Sequence, residues 1–389
     1  MKQPDALRLF SAIYFLWGMW AAPFGSFVAI YLAGAGVSDQ DIGFLFGAAS
    51  LTALITALPS GVISDKLSTR RAMMIGLLLA APFYFALTLT NSLLLLVLIF
   101  VVDSLGANLY GIASDSAMYR SIAKSKAASF GILHLVINLG NAVALLACGY
   151  IISLAGFSAL GIIFMLFPLG IMFLVRRVPT VQAKFEKHTL SEYLREFSRR
   201  EFLLFAVAIF LLSYHWGTEK TSFPLYASNI LHISNESLGW YFSANLLFYG
   251  VAGFLAGRLV NVSKRRESLF AIGLLLSAAG SIFYAGSYDF TSSLLSRLLH
   301  DSGDAILGVS MMLVISGLVP KERLGGAVGA MTIVYVIAGF TGAVASGYIN
   351  QHIGYSEAIL VSAALTIASA AVLWLTLKLK ISGSPFPTG

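Results

Sequence analysis

Two short stretches hold most of the side chains able to bind or pass a proton in an otherwise apolar chain. The first is S-Y-H-W-G-T-E-K, residues 213–220, with His215, Glu219 and Lys220; the second is R-L-L-H-D-S-G-D, residues 297–304. On a helix, residues three or four apart share a face. Arg297, His300, Asp301 and Asp304 therefore form one stripe, in which Arg297 pairs with Asp301 and His300 with Asp304. His215 and Glu219 share a face, while Lys220 turns about 100° away, with Trp216. A carboxyl group beside a cation in hydrocarbon is costly unless it has work to do. Protonated in one state and ion-paired in another, it couples proton movement to a conformational cycle. The expected proton carriers are Asp301 or Asp304, then Asp103 in V-V-D-S-L-G, then Glu219. Two other uses of these charges stay open. The pairs can be structural bridges between helices, and the long side chains of Lys220 and Arg297 can reach an interface.

Aromatic residues surround these charges in the sequence. Trp17, Trp20, Phe24, Phe27 and Tyr31 lie in one segment, and Tyr214, Trp216, Phe223 and Tyr226 in another. Aromatic walls around a few charges suit an organic solute with apolar and polar parts. The expected solute contacts are His215, Trp216, Glu219, Lys220, Arg297, His300, Trp20, Phe24 and Tyr226, although core packing uses the same residue types. Pro23 and Pro224 sit at similar positions in the two segments and are expected to bend them. Asp115 is read as interfacial, and His134, with Asn138 and Asn141, as either a hydrogen-bonded packing residue or a ligand. No P-loop, nucleophile elbow, metal cluster or dinucleotide fingerprint occurs, so no enzyme and no cofactor is expected. The proton gradient is the expected energy source.

The elements that must carry these residues follow from composition. Of 389 residues, 58% are hydrophobic and 11% charged, with a mean hydropathy of +0.84, far from the usage of soluble domains. A helix needs about 20 apolar residues to cross a bilayer. Twelve such segments are read at 9–33, 39–63, 71–90, 93–114, 129–153, 158–175, 202–229, 238–260, 268–286, 291–317, 325–350 and 355–377. Asp103 then lies about 15 Å into the fourth, near mid-bilayer. The only cysteine, Cys148, falls inside a segment and reads as a small packing residue.

Charge placement orients the chain. Lys66, Arg70 and Arg71, Arg120 and Lys124, Arg176 to Arg200, Arg258 to Arg266, Lys321 and Arg323, and the basic residues of both termini all fall on one side if the segments alternate. The opposite connections hold Asp39, Asp41, Glu236, Asp289 and Glu357 without Lys or Arg. By the positive-inside rule both termini are cytoplasmic in a multi-pass protein of the cell membrane. The net charge of +7 orients the protein and recruits no nucleic acid. The longest connection carries a T-x-x-E capping box at Thr189 and Glu192, with Leu190, Leu194 and Phe197 at helical spacing, and reads as a surface helix. The organisation expected is residues 1–177 as one six-helix bundle, 178–200 as a cytoplasmic linker, and 201–389 as a second bundle.

The halves repeat one another. G-Y-I-I-S-L-A-G-F-S at 149–158 returns as G-Y-I-N-Q-H-I-G-Y-S at 347–356, an offset of 198 that also carries Gly131 to Gly329 and Asp103-Ser104 to Asp301-Ser302. Trp20 with Ser26-Phe27 returns as Trp216 with Ser222-Phe223. Repeats in one orientation imply two bundles about an axis along the membrane normal. The fold class is thus an all-α integral membrane protein of twelve transmembrane helices in two pseudo-symmetric six-helix bundles.

The loop G-V-I-S-D-K-L-S-T-R-R, residues 61–71, resembles the signature G-x-x-x-D-[R/K]-x-G-[R/K]-[R/K] of the major facilitator superfamily of transporters. Gly61, Asp65 and Lys66 match, Ser68 replaces the second glycine, and the basic pair Arg70-Arg71 comes one position late. A degenerate copy follows in the second half, with Gly253 and Arg258 but Gly257 in the place of the acid. The resemblance implies alternating access, with Gly61, Asp65, Lys66, Arg70, Arg71, Gly253 and Arg258 as a conformational latch. Gly131, Gly140 and Gly149 are spaced as in the antiporter motif of that family, with Ala144-Leu145 and Cys148 replacing its remaining residues. Close packing through small residues accounts for the same glycines. The expectation is a monomeric secondary transporter, proton-coupled, moving a small organic solute across the bilayer. Efflux is slightly favoured over proton-symport uptake of an anionic metabolite, with lipid flipping as a third reading.

Overall fold

The protein is represented by a computed structural model that describes residues 3–122, 128–178, 200–262, 266–316 and 324–382. The Thr189–Glu192 capping box lies outside the described residues. Gly61, Asp65, Lys66 and Gly131 are described by their helical backbone alone.

Every regular element among the described residues is helical. In chain order they are α1 (Gln3–Ala21), α2 (Phe27–Gly34), α3 (Asp39–Leu67), α4 (Thr69–Ala80), α5 (Phe83–Leu87), α6 (Leu93–Ile122), α7 (Ala128–Val175), α8 (Arg200–Leu225), α9 (Asn235–Val262), α10 (Arg266–Ala285), α11 (Phe290–Ser316), α12 (Leu324–His352) and α13 (Tyr355–Ser382). Nine helices among the described residues are long and apolar enough to cross a membrane, ten when α1 and α2 count as one bent span. Two features stand behind the expected count of twelve. The 48 residues of α7 would run about 72 Å as one rod, but the helix breaks at Gly156, whose φ of 80° and ψ of 173° no helix contains. The other is α11, in which Arg297, Asp301 and Asp304 interrupt the apolar run.

Local chemistry explains the boundaries. Ser38 caps α3 by accepting the amide of Asp41 at 3.1 Å. Asp289 does the same before α11, accepting the amide of Ser292 at 2.7 Å, and this holds its exposed carboxyl below the usual carboxylate range. Pro23 lies in a 3₁₀ turn, Ala22–Gly25, between α1 and α2, which are bent by 40°. Pro224 lies inside α8, which runs into a π-turn at Tyr226–Ile230. The two prolines at equivalent depths thus break their helices in different ways.

Packing repeats between the halves. In the first, α1 packs on α7, α3 on α6, and α4 on α6; in the second, α8 packs on α12, α9 on α11, and α10 on α11. The halves meet along two further pairs, α3 with α12 and α7 with α9. Each is closed by facing glycines. A methyl group on Gly43 would stand 2.5 Å from the Ala343 carbonyl oxygen and 2.7 Å from Cα of Gly347. One on Gly149 would stand 2.5 Å from the Asn235 carbonyl oxygen and 2.9 Å from Cα of Gly239. Small residues let backbones approach this closely, and in lipid such packing is the main adhesive between helices. Hydrogen bonds rim the contacts at the end that carries the acidic connections. The Asp39 amide donates to Gln351 Oε1 at 3.0 Å and Trp240 Nε1 to the Tyr150 hydroxyl at 3.0 Å, while within the second half Asn229 Nδ2 donates to the Tyr355 hydroxyl at 2.9 Å.

Leu94, Leu154 and Leu166 are exposed on the outside of the bundle, as lipid contact demands of an apolar surface this extensive. Inside the first half, Phe27, Phe46, Phe83, Tyr84, Phe100 and Phe164 are buried together. The Tyr84 hydroxyl is satisfied there by the Trp20 carbonyl at 2.8 Å.

Candidate functional site

Two polar centres lie side by side, one within the second half and one between the halves. The first is a buried ionic cluster on α8 and α11. Arg297 reaches Glu219 Oε1 through Nη1 at 2.7 Å and Asp301 Oδ1 through Nη2 at 3.2 Å, with its guanidinium 4.6 Å from the centre of the Phe223 ring. His215 Nε2 lies 2.9 Å from Asp304 Oδ2. His300 Nε2 lies 3.1 Å from Glu219 Oε1 and 3.6 Å from Asp304 Oδ2. The intrahelical pairings expected from spacing are both present. The shorter contacts of Asp304 and His300, however, cross from α11 to α8, because the two helices bring their polar stripes face to face.

Close helix packing fixes the imidazoles. Gly280 and Gly303 let α10 and α11 touch backbone to backbone, and a side chain at either would collide with His300 or Ser277. At that contact His300 Nδ1 donates to the Ser277 carbonyl at 2.8 Å, with the Ser277 and Ser281 hydroxyls each at 3.1 Å. His215 Nδ1 donates to the Leu212 carbonyl. A carbonyl only accepts, so Nδ1 bears hydrogen in both rings and Nε2 is the variable atom.

The second centre is a cavity of about 330 Å³ lined from the first half by Trp17, Trp20, Phe24, Phe46 and Asp103, and from the second by Trp216, Lys220 and Tyr335. Beside it lies a second cavity of about 320 Å³, whose wall includes Glu219, Lys220, Phe223, Tyr241, Asn245, Tyr284 and Arg297. Trp216, Lys220 and Tyr335 line both, and the two rings meet edge to face at 4.8 Å. Asp103 is buried, and its Oδ1 has no hydrogen-bond partner among the described residues.

The structure places several of the expected residues away from the two central cavities. Tyr226 is a packing residue: it is buried, its hydroxyl donates to the carbonyls of Ser287 at 2.7 Å and Ala285 at 3.1 Å, and it lines neither central cavity. His215 and His300 also line neither cavity; they stand behind Glu219 in the ionic cluster. Arg297 does not reach for an interface but is enclosed by its carboxylates. Asp115 accepts from the Tyr14 hydroxyl at 2.6 Å, and His134 contacts Asn138 Nδ2 at 3.2 Å, both away from the cavities. Of the latch residues with described side chains, Arg70 donates to the Val178 carbonyl at 2.7 and 3.2 Å, tying α4 to the end of α7 within one half. Arg71 is exposed, Gly253 faces His134 across the α7–α9 contact, and Arg258 stacks on Phe254 at 4.5 Å. Ser68 takes a φ of 81°, the left-handed conformation that suits the glycine of the signature pattern.

Sequence reasoning missed Tyr335, Ser277, Ser281, Tyr241 and Asn245. The two serines had a readable signal, a polar pair one turn apart in an apolar helix. Tyr335, in T-I-V-Y-V-I, had none.

Similar architecture occurs in solved transporters. The nucleoside transporter NupG aligns with a TM-score of 0.77 at 15% identity, over 97% of this chain and 100% of its own. A POT family transporter in complex with 5-aminolevulinic acid aligns at 0.76 and 12% identity, over 97% and 96%. Another POT structure, with a thioalcohol-conjugated peptide, aligns at 0.74 and 14%, over 97% and 96%. At these identities the likeness is one of fold. The sequence itself matches the family model for the Major Facilitator Superfamily over residues 9–231 and 208–388, which together cover both halves. With its repeated bundles and central cavities, the chain belongs to the Major Facilitator Superfamily, whose members are transporters and not enzymes.

Proposed function

We propose that the protein is a proton-coupled secondary transporter for a small dipolar organic solute, with an anionic group bound by Lys220 and an apolar or aromatic body against Trp20, Phe24, Trp216 and Tyr335. One observation carries this reading. Lys220 and Asp103 line the same cavity, and neither forms an ion pair among the described residues, whereas Arg297 nearby is fully paired. A buried charge left without a partner is costly, and a solute that supplies the partner recovers that cost on binding. Two solved POT family transporters hold ligands of this dipolar kind, 5-aminolevulinic acid and a thioalcohol-conjugated peptide.

Proton coupling is assigned to Asp301, Asp304 and Glu219 with the two histidines. Glu219 and Arg297 line the second cavity, so the cluster is in touch with the solute path. Symport uptake is favoured over efflux by antiport, because Gly140 and Gly149 have packing partners of their own, at Phe15 and at Asn235 and Gly239. Residues 1–177 and 201–389 act as the two rocking bundles, joined by 178–200. The basic end faces the cytoplasm, and the glycine-closed acidic end faces outward.

The test is solute and proton flux in proteoliposomes under an imposed pH gradient, with a panel of amino acids, dipeptides, nucleosides, organic anions and organic cations. Saturable accumulation of a dipolar solute with proton entry, lost in Lys220→Gln, is the expected result. Accumulation that ignores the gradient, or is unchanged in Lys220→Gln, defeats the reading.

A further inference from the structure

We propose that His215, Glu219, His300 and Asp304 form a site for a divalent transition cation of the zinc class. This goes beyond the transport reading and does not depend on it. Four ligand atoms, one from each residue, lie within 4.8 Å of one another in a buried pocket. The contacts of 2.9, 3.1 and 3.6 Å bracket the edge of about 3.4 Å that a tetrahedron has when its ligands lie about 2.1 Å from the metal.

Hydrogen-bond accounting points the same way. Both Nδ1 atoms donate to backbone carbonyls, the arrangement that orients metal-binding imidazoles with Nε2 free to ligate. A neutral ring then turns the Nε2 lone pair toward a carboxylate oxygen, acceptor against acceptor. The contacts His215–Asp304 and His300–Glu219 each need something positive between them. Charge gives the same tally: Glu219, Asp301 and Asp304 face one guanidinium, and the cluster balances only with two further positive charges. Two protons supply them, and so does one divalent cation. Lys220, on the same helix as Glu219, makes no ion pair with the cluster among the described residues and lines both cavities. Independently, Asp304 Oδ1 is buried with no hydrogen-bond partner among the described residues, leaving that carboxylate a second ligand atom. Glu219 lines an open cavity, which gives an ion a way in.

The experiment titrates Co²⁺ into the purified full-length protein in detergent and reads visible ligand-field absorption, with Zn²⁺ as competitor. The expected result is one saturable Co²⁺ per chain with intense tetrahedral-type bands, displaced by Zn²⁺. His215→Gln, Asp304→Asn and Glu219→Gln are each expected to weaken binding more than about 100-fold, beyond the 10–100-fold that an outer-shell loss costs. His352→Gln, at an exposed histidine on the acidic end, is expected to leave binding unchanged. Should Asp304→Asn fail to fold, Glu219→Gln, whose side chain borders the cavity, gives the same answer. No saturable Co²⁺ binding in the unmodified protein, or bands that survive all three ligand substitutions, overturns the proposal.

Discussion

Asp103 and Lys220 approach one cavity from opposite halves of the chain, an acid from α6 and a base from α8, without forming an ion pair. Hydrogen bonds to a charged group contribute about 1.5–3 kcal/mol. Lys220→Gln is therefore expected to weaken binding of an anionic or dipolar solute roughly 10- to 150-fold while leaving the folded protein intact. Solute-induced shifts in thermal unfolding check both halves of that statement.

Arg297 stands between Glu219 and Asp301, and its removal leaves two buried carboxylates facing one another. Arg297→Gln is expected to destabilise the protein by about 3–5 kcal/mol. The double variant Arg297→Gln/Asp301→Asn recovers part of the loss, because one stranded charge goes with the cation. Denaturation in a single detergent compares the two.

Tyr226 makes the opposite case. In Tyr226→Phe the carbonyls of Ala285 and Ser287 lose their donor, and a loss of about 1–3 kcal/mol is expected. Solute affinity stays within twofold, as befits a residue outside both cavities. A changed affinity with unchanged stability would return Tyr226 to the binding site.

Ser68 holds a backbone conformation that costs a non-glycine residue about 1–3 kcal/mol. Ser68→Gly is expected to raise the unfolding midpoint, and Ser68→Val to lower it.

The contact of Gly149 with Gly239 can be read by cross-linking. In a Cys148→Ser background, Tyr150→Cys with Trp240→Cys is expected to be joined by a short bifunctional maleimide, since the parent side chains span the gap between α7 and α9 with a hydrogen bond of 3.0 Å. Adding Gly149→Leu, for which the backbone of α9 leaves no room, suppresses that cross-link.

Much of this was legible before any coordinates. The segment ends expected at 39, 93 and 355 coincide with the starts of α3, α6 and α13, because capping serines, turn residues and apolar runs are local signals. The 198-residue offset carries Gly149 to Gly347, and each presses on a glycine of the opposite half, Gly239 and Gly43. Spacing along α11 brought Arg297 to Asp301, but it could not show that His215 would take the shorter contact with Asp304. That contact depends on the rotation of α8 against α11, which no single helix encodes. The orientation of Tyr226 was not readable for a related reason: an aromatic on a cavity-lining helix can face the cavity or its neighbours. Tyr335 was overlooked because a lone tyrosine in an apolar run looks the same in either place.

The break at Gly156 has a mechanical consequence. The arm before it carries Gly149, pressed against α9 of the other half, and the arm after it carries Gly161, pressed against Phe85 of α5. One residue joins them, with no loop between. Such a joint has no slack, so movement at the glycine contact is passed along the second arm as through a lever. Lengthening the joint by a few flexible residues would disengage the lever while leaving each arm seated on its own neighbours.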